Sequence, residues 1–492
     1  MKHSHSQVRA ASPRLRRLAA ACIVCCGALG AASLSMAQTS NSVDRALSAL
    51  AGPPDTRNTM QAPPLPTVPR LDLRGAYQAA LEQDALMRSA RAGAEARRER
   101  LPQARAQLLP NIGLSVSRNS NKLDATVPGP LGSPFSYRQN YVSSSQALTL
   151  RQPLFRKYQL ADYRQAQSQV DEANANLERE LQNVSVRVAS AYLEALLTSD
   201  QLALVLSQKT AYATQLDAAR KRLTAGSGTR TDVDEASAAL DMNVAQELEA
   251  RQNVDFTLRQ LQTITNQPTG NLATLDEARM LLAPPSPNRV EHWIEQSEIH
   301  SPEIQALQAQ RNAAREEIEK ARAGHYPTLD AIAQISRTES DTVTAVNNRY
   351  TNRSFGFQFN LPLFSGGYVN STVRQALADL ERIEQSLEAT RRDLGLRIHK
   401  EFRSITEGVL RVRALEQAVR SAEQVVISNR RSYEAGSRTL MEALNAEQSL
   451  VSARRDLAQA RYVYLLSRVR LQALAGGPKE DTINEINAWL RP

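Results

Sequence analysis

The sequence predicts a mainly α-helical chain with a small set of β-strands, written as two tandem copies of one plan. Three observations lead there. "RLTAGSGTRTDVDEASAAL" (222–240) and "SYEAGSRTLMEALNAEQSL" (432–450) place Ala-Gly-Ser, then Thr, then an acid, then Ala and Leu in register. Two "PLF" tripeptides, at 153–155 and 362–364, repeat at nearly the same offset. Long helical periodicity precedes each Ala-Gly-Ser turn, and short alternating segments precede each long helix. Self-similarity of this kind marks one supersecondary plan used twice.

Residues 1–37 read as a secretory signal peptide. Lys2, Arg9, Arg14, Arg16 and Arg17 supply positive charge, "LAAACIVCCGALGAASL" the apolar core, and Ser35 and Ala37 a cleavage site before Gln38. All three cysteines (Cys22, Cys25, Cys26) fall inside it, so no thiol is expected in the mature chain for a disulfide, a zinc site or a nucleophile. Its removal takes away those five basic residues and no acids, lowering the net charge from +9 to +4. The remaining Lys and Arg alternate with Glu and Asp as on solvated helix faces, so charge gives no argument for nucleic acid. No later stretch approaches about 20 consecutive apolar residues, so no transmembrane helix is expected. If this exported chain crosses a membrane, it does so with strands.

Residues 38–70 are Pro-rich and polar, a linker. The first repeat spans 71–266. It opens with a helix over 71–107, ended by Pro110, and a strand at about 110–118 in which Ile112, Leu114 and Val116 alternate with Gly113, Ser115 and Ser117. A polar Gly/Pro-containing loop, a strand at about 139–152, a helix over 155–223, the Gly226 turn and a helix from Thr229 to Asn266 follow. An irregular linker (267–289) leads to the second repeat (290–475), with a helix over 290–323 and strands at about 326–337 and 352–364. A helix from Tyr368 to Tyr433, the Gly436 turn and a helix to Ala475 complete it, and 476–492 read as a C-terminal tail. Each long helix should measure about 100 Å at about 1.5 Å per residue, and each short one about half. One long rod is then matched by two short helices stacked end to end, with the inter-repeat linker near mid-height.

The fourth strand decides the environment. "SFGFQFNLPLF" directs Phe355, Phe357, Phe359, Leu361 and Leu363 to one side and Gly356, Gln358 and Asn360 to the other, the alternation of a membrane β-barrel. Four strands cannot close a barrel, and an open edge cannot sit in hydrocarbon, so the chain is expected to oligomerise.

With "ARAQLLPNIGLSVS" before the first strand, "NLPLFSGGY" closing the fourth and the duplicated Ala-Gly-Ser turns, the chain resembles the TolC family of outer-membrane efflux and secretion channels over about 71–475. The resemblance implies a homotrimer in which four strands per chain complete a twelve-stranded outer-membrane barrel, over a periplasmic α-barrel of coiled-coil helices. It also implies that the turns (Gly226, Ser227; Gly436, Ser437) form the tip that meets a periplasmic adaptor coupled to an inner-membrane pump. The acids that narrow the family's pore entrance match Glu442 and Asn445, leaving three carboxylates per trimer rather than six. The family's inter-hairpin gate network matches Thr231, Asp232, Tyr433 and Arg438. From spacing alone, Gly at the helix C′ position ends each long helix, and Thr229 with Asp232 and Thr439 with Glu442 have capping-box spacing.

Enzymatic readings find no support. His292, His300, His325 and His399 are isolated, and "AGSGTRTD" lacks the Lys of a phosphate loop. No cofactor or metal is expected. The expected function is a passive exit duct in the outer membrane with most of its mass in the periplasm. Type I protein secretion with an ABC exporter is favoured, because the plan resembles TolC itself and no lipoprotein signal is evident. The alternatives are a small-molecule efflux duct served by a proton-driven pump, and a soluble periplasmic coiled-coil adaptor.

Overall fold

The computed structural model describes residues 70–128, 132–342, 345–477 and 479–491. The signal peptide expected at 1–37, and all of the 38–70 linker but Arg70, lie outside the described residues. The helices are α1 (Leu73–Gln83), α2 (Ala85–Arg98), α3 (Arg100–Ala106), α4 (Lys157–Thr224), α5 (Arg230–Thr265), α6 (Val290–His300), α7 (Pro302–Arg322), α8 (Tyr368–Glu434), α9 (Leu440–Leu474) and α10 (Lys479–Ala488). The strands are β1 (Asn111–Pro128), β2 (Pro134–Phe155), β3 (Thr328–Thr342) and β4 (Ala345–Asn360).

The long helices α4 and α8 run 68 and 67 residues, and α5 and α9 run 36 and 35. The expected single helices at the start of each repeat are broken. In the first repeat, Asp84 is extended (ψ 124°) and its carboxylate caps α2 through Leu86 N at 3.1 Å. Buried Asp84 is paired with Arg187, which fixes the break against α4. Pro102 then lacks the amide that would bond Arg98, where α2 ends. In the second repeat, Ser301 is extended (ψ 122°) before Pro302, as the residue preceding a proline prefers. Both repeats thus interrupt the helix with near-identical backbone geometry.

The short helices stack as expected, and their neighbours are now defined. α4 packs on α5 and α9, and α8 packs on α9; nearer the strands, α7 fills the space between α4 and α8. The end of α9 meets the α6–α7 break so closely that a Cβ on Gly476 (φ +74°) would sit 2.5 Å from the His300 carbonyl oxygen. The inter-repeat linker is held by two buried tyrosines. Tyr192 of α4 donates towards the carbonyls of Leu71 (3.0 Å) and Ala273 (2.9 Å). The Tyr464 hydroxyl of α9 accepts from Ala283 N at 3.1 Å and donates to its carbonyl at 2.9 Å.

Residues 476–492 were expected as a tail, but α10 is part of the core. Ile483, Ile486, Trp489 and Leu490 are buried, Asp276 N donates to the Trp489 carbonyl at 2.8 Å, and Asn487 donates to Asp72 at 3.0 Å. The apolar spacing of Ile483, Ile486 and Leu490 over three and four residues is the signal for this helix.

All four strands form one antiparallel sheet in the order β1-β2-β3-β4, with the two repeats meeting at β2–β3. The polar loop expected between the first two strands is mostly strand: β1 pairs with β2 up to Pro128 opposite Pro134. Polar cross-strand pairs hold this extension, including Asn121 to Ser143 and Thr126 with Ser136, both at 2.8 Å. About 9–11 residues suffice to cross a bilayer, so strands of 15 to 22 residues continue beyond it, where no apolar alternation is needed. At the other end the sequence overestimates β4, which stops at Asn360, so Leu361 and Leu363, on either side of Pro362 with its missing amide, lie outside the strand.

Candidate functional site: the hairpin tips and the open sheet

Register sorts the sheet into two faces. Phe355 lies opposite Ala333, Ala333 opposite Leu150, and Leu150 opposite Ile112, one continuous apolar row across four strands. Phe355 and Phe357 stack edge to face at 5.4 Å between centroids and are 71% and 65% exposed. The alternate row runs Ser354, Gln334, Thr149 and Gly113. On that face Arg151 contacts Gln358 (3.3 Å), and Arg156 forks onto buried Asp330, 2.8 Å from Nε to Oδ1. An uncovered apolar face of this size is unstable in water and suited to lipid. Among the described residues, β1 and β4 have no partner strand on their outer edges.

At the far end of the long helices the two turns share one construction. Gly226 (φ +71°) and Gly436 (φ +76°) take the left-handed conformation that needs no Cβ. Ser227 N closes on the Arg222 carbonyl at 3.0 Å, and Ser437 N on the Ser432 carbonyl at 2.9 Å. The caps differ. Thr229 and Asp232 form a reciprocal capping box, both bonds at 3.1 Å. Thr439 accepts from Glu442 N at 3.3 Å without the return bond, so the expected second box is one-sided. The Glu442 carboxylate stays half-exposed and 4.0 Å from Arg438. Exposed Asn445 follows three positions later, on the same side of α9 and opposite buried Ala443 and Leu444.

The four residues matched to the gate are therefore distributed. Asp232 is engaged in its cap, Thr231 is exposed, and Arg438 faces Glu442. Tyr433 reaches the first hairpin, packing against a small core of Tyr212, Leu216, Ala236, Leu440 and Leu444. Arg222 lies over its ring at 4.7 Å. Among the described residues no hydrogen bond joins these four to one another within the chain.

Sequence reasoning missed a second contact between hairpins. Buried Gln208 of α4 donates to Gln448 of α9 (2.6 Å) and to Tyr212 (2.8 Å), and accepts from buried Asn243 of α5 (3.1 Å). Its only sequence signal is amides on otherwise apolar helix faces.

Among the described residues no helix is long and apolar enough to cross a membrane, and no His, Asp and Glu cluster could hold a metal.

Duplicated helical hairpins carrying an open sheet with one apolar face define a subunit of an outer-membrane channel whose helices stand in the periplasm. The chain belongs to the outer membrane efflux protein family, which it matches over residues 76–267 and 293–477, once per repeat. It is 34% identical to the alkaline protease secretion protein AprF of Pseudomonas aeruginosa, covering 82% of this chain and 84% of that one. It is 30% identical to the proteases secretion protein PrtF of Dickeya chrysanthemi (86% and 91%) and 28% identical to the outer membrane protein TolC of Escherichia coli (85% and 84%). The fold is similar to the Campylobacter jejuni CmeC outer membrane channel, with a TM-score of 0.70 at 17% identity, covering 85% of this chain and 90% of that one. The chain is an outer-membrane protein, not a soluble adaptor.

Proposed function

We propose that three copies of the chain assemble into one channel, the exit duct of a tripartite machine for type I protein secretion. The observation that carries this reading is the sheet: four strands with an apolar face and two free edges, which only neighbouring copies can complete without exposing backbone to lipid. The helical layer supports it. Its outer helices α5 and α8 expose Met242 and Phe256, and Leu396 and Leu410, each pair 14 residues apart, the spacing of a coiled-coil seam between copies. Secretion rather than drug efflux is favoured by the names of AprF and PrtF. Channels of the TolC family serve as trimeric ducts of such systems.

In this reading the tip turns at Gly226, Ser227, Gly436 and Ser437 meet a periplasmic adaptor, and an inner-membrane ABC exporter supplies the energy. Glu442 and Asn445 ring the pore entrance, Tyr433 ties the two hairpins of one copy together through Arg222, and Thr231, Asp232 and Arg438 complete the gate network between hairpins. The chain itself performs no catalysis. Deletion of its gene should remove a specific protein from the culture medium while leaving susceptibility to small antibiotics unchanged. The opposite pattern would make it an efflux duct.

A further inference from the structure

A cavity of about 720 Å³ opens near the junction of α9 with the α6–α7 break, and residues of α4 and α8 line its sides. Its charge is lopsided. Arg187 and Arg397 line it but are neutralised, the first by Asp84 and Glu180, the second by Glu303 and Asp393. Arg179, Lys400 and Arg470 also line it, and among the described residues none of the three has an ion-pair partner. Ser301 places the N-terminus of the 21-residue helix α7 in the same wall, with no side-chain cap on its free amides. Such an end favours anions. Gln182 and Glu401, 8% and 7% exposed, also line the recess, and among the described residues neither side chain has a hydrogen-bond or ion-pair partner. The polar atoms of both side chains stay open to the recess, where a ligand can reach them.

We propose that this recess binds a multivalent oxyanion of phosphate or clustered-carboxylate chemistry. Arg179, Lys400 and Arg470 hold it, Gln182 and the α7 amides donate to it, and Glu401 opposes it and limits its affinity. Lipid phosphate is the wrong source. Arg179 lies 22 positions along α4 from Lys157, about 33 Å from the strands at about 1.5 Å per residue. The remaining sources are acidic side chains of a polypeptide in transit and a small free phosphate. The proposal does not depend on which cargo the duct carries.

Calorimetric titration of the full-length protein in detergent tests it, with inorganic pyrophosphate and with a hexaglutamate peptide, each at fixed ionic strength. Saturable binding is expected, weakened roughly tenfold or more in Lys400→Gln and in Arg470→Gln. Arg411→Gln, on α8 but outside the recess, should leave it unchanged. Glu401→Gln should tighten binding, a change of sign that a damaged fold would not give. Hexaglutamate binding with the same residue dependence assigns the site to polypeptide carboxylates, and pyrophosphate binding alone assigns it to small phosphates. No saturable binding of either anion, weaker binding in Glu401→Gln, or equal loss in Arg411→Gln would overturn the proposal.

Discussion

The guanidinium of Arg222, near the end of the first long helix, lies over the ring of Tyr433 near the end of the second, 4.7 Å from its centroid. This contact joins the two hairpins of one chain about one turn above their tips. A cation over a partly exposed ring is worth about 0.5–1 kcal/mol. In the proposed channel, where the tips form the gate, a link this weak yields to a docking partner.

The first prediction follows from that geometry. Arg222→Gln and Tyr433→Ala should raise single-channel conductance in planar bilayers, because three weakened links act together on one equilibrium. Tyr433→Phe keeps the ring and should stay near wild type. Wild-type conductance in a folded Tyr433→Ala variant would mean the ring only packs.

The polar layer above it should matter for stability. Gln208→Leu strips a partner from buried Asn243 and from buried Tyr212, and an orphaned buried group costs about 1–3 kcal/mol. The apparent Tm in detergent should fall clearly. Lys221→Ala, which removes an exposed pair with Asp217, should change it little.

Membrane exposure gives a third. Phe357→Arg should cost about 2–4 kcal/mol near the bilayer midplane, while Ser354→Arg on the opposite face should be tolerated. Urea titration of the protein refolded into vesicles reads the difference. Equal tolerance would mean this strand does not face lipid.

Asp200 provides a pH signature away from the membrane. It accepts from the Tyr462 hydroxyl at 2.6 Å, and burial pushes its carboxyl above the ordinary 3.8. The folded state therefore favours the protonated form. Stability from this group is fully present below 3.8 and is lost as pH rises through the folded value. Asp200→Asn keeps an acceptor for Tyr462 and removes the charge. It should melt above wild type at pH 7, and the two should converge near pH 3.5. A constant difference across pH would contradict this.

What the sequence made legible was periodic or duplicated. The long helices, the tip turns and the Phe355–Phe357–Phe359 row were readable because helix burial and strand alternation leave regular signatures. The strand extensions were not, because outside the bilayer a paired strand such as Asn121–Val127 has no reason to alternate. Asp84 as a helix break was hidden because its cause, Arg187, lies a hundred residues away. Arg222 and Gln208 escaped for a similar reason: each is an ordinary helix residue until the fold brings Tyr433 or Gln448 to it.

The central claim is that three open sheets close into one barrel around one pore. Averaged electron-microscopy images of the detergent-purified protein test it most directly. The account predicts a three-fold particle with a twelve-stranded barrel at one end of a helical tunnel about 100 Å long. A monomer or dimer with its sheet edges uncovered would contradict it.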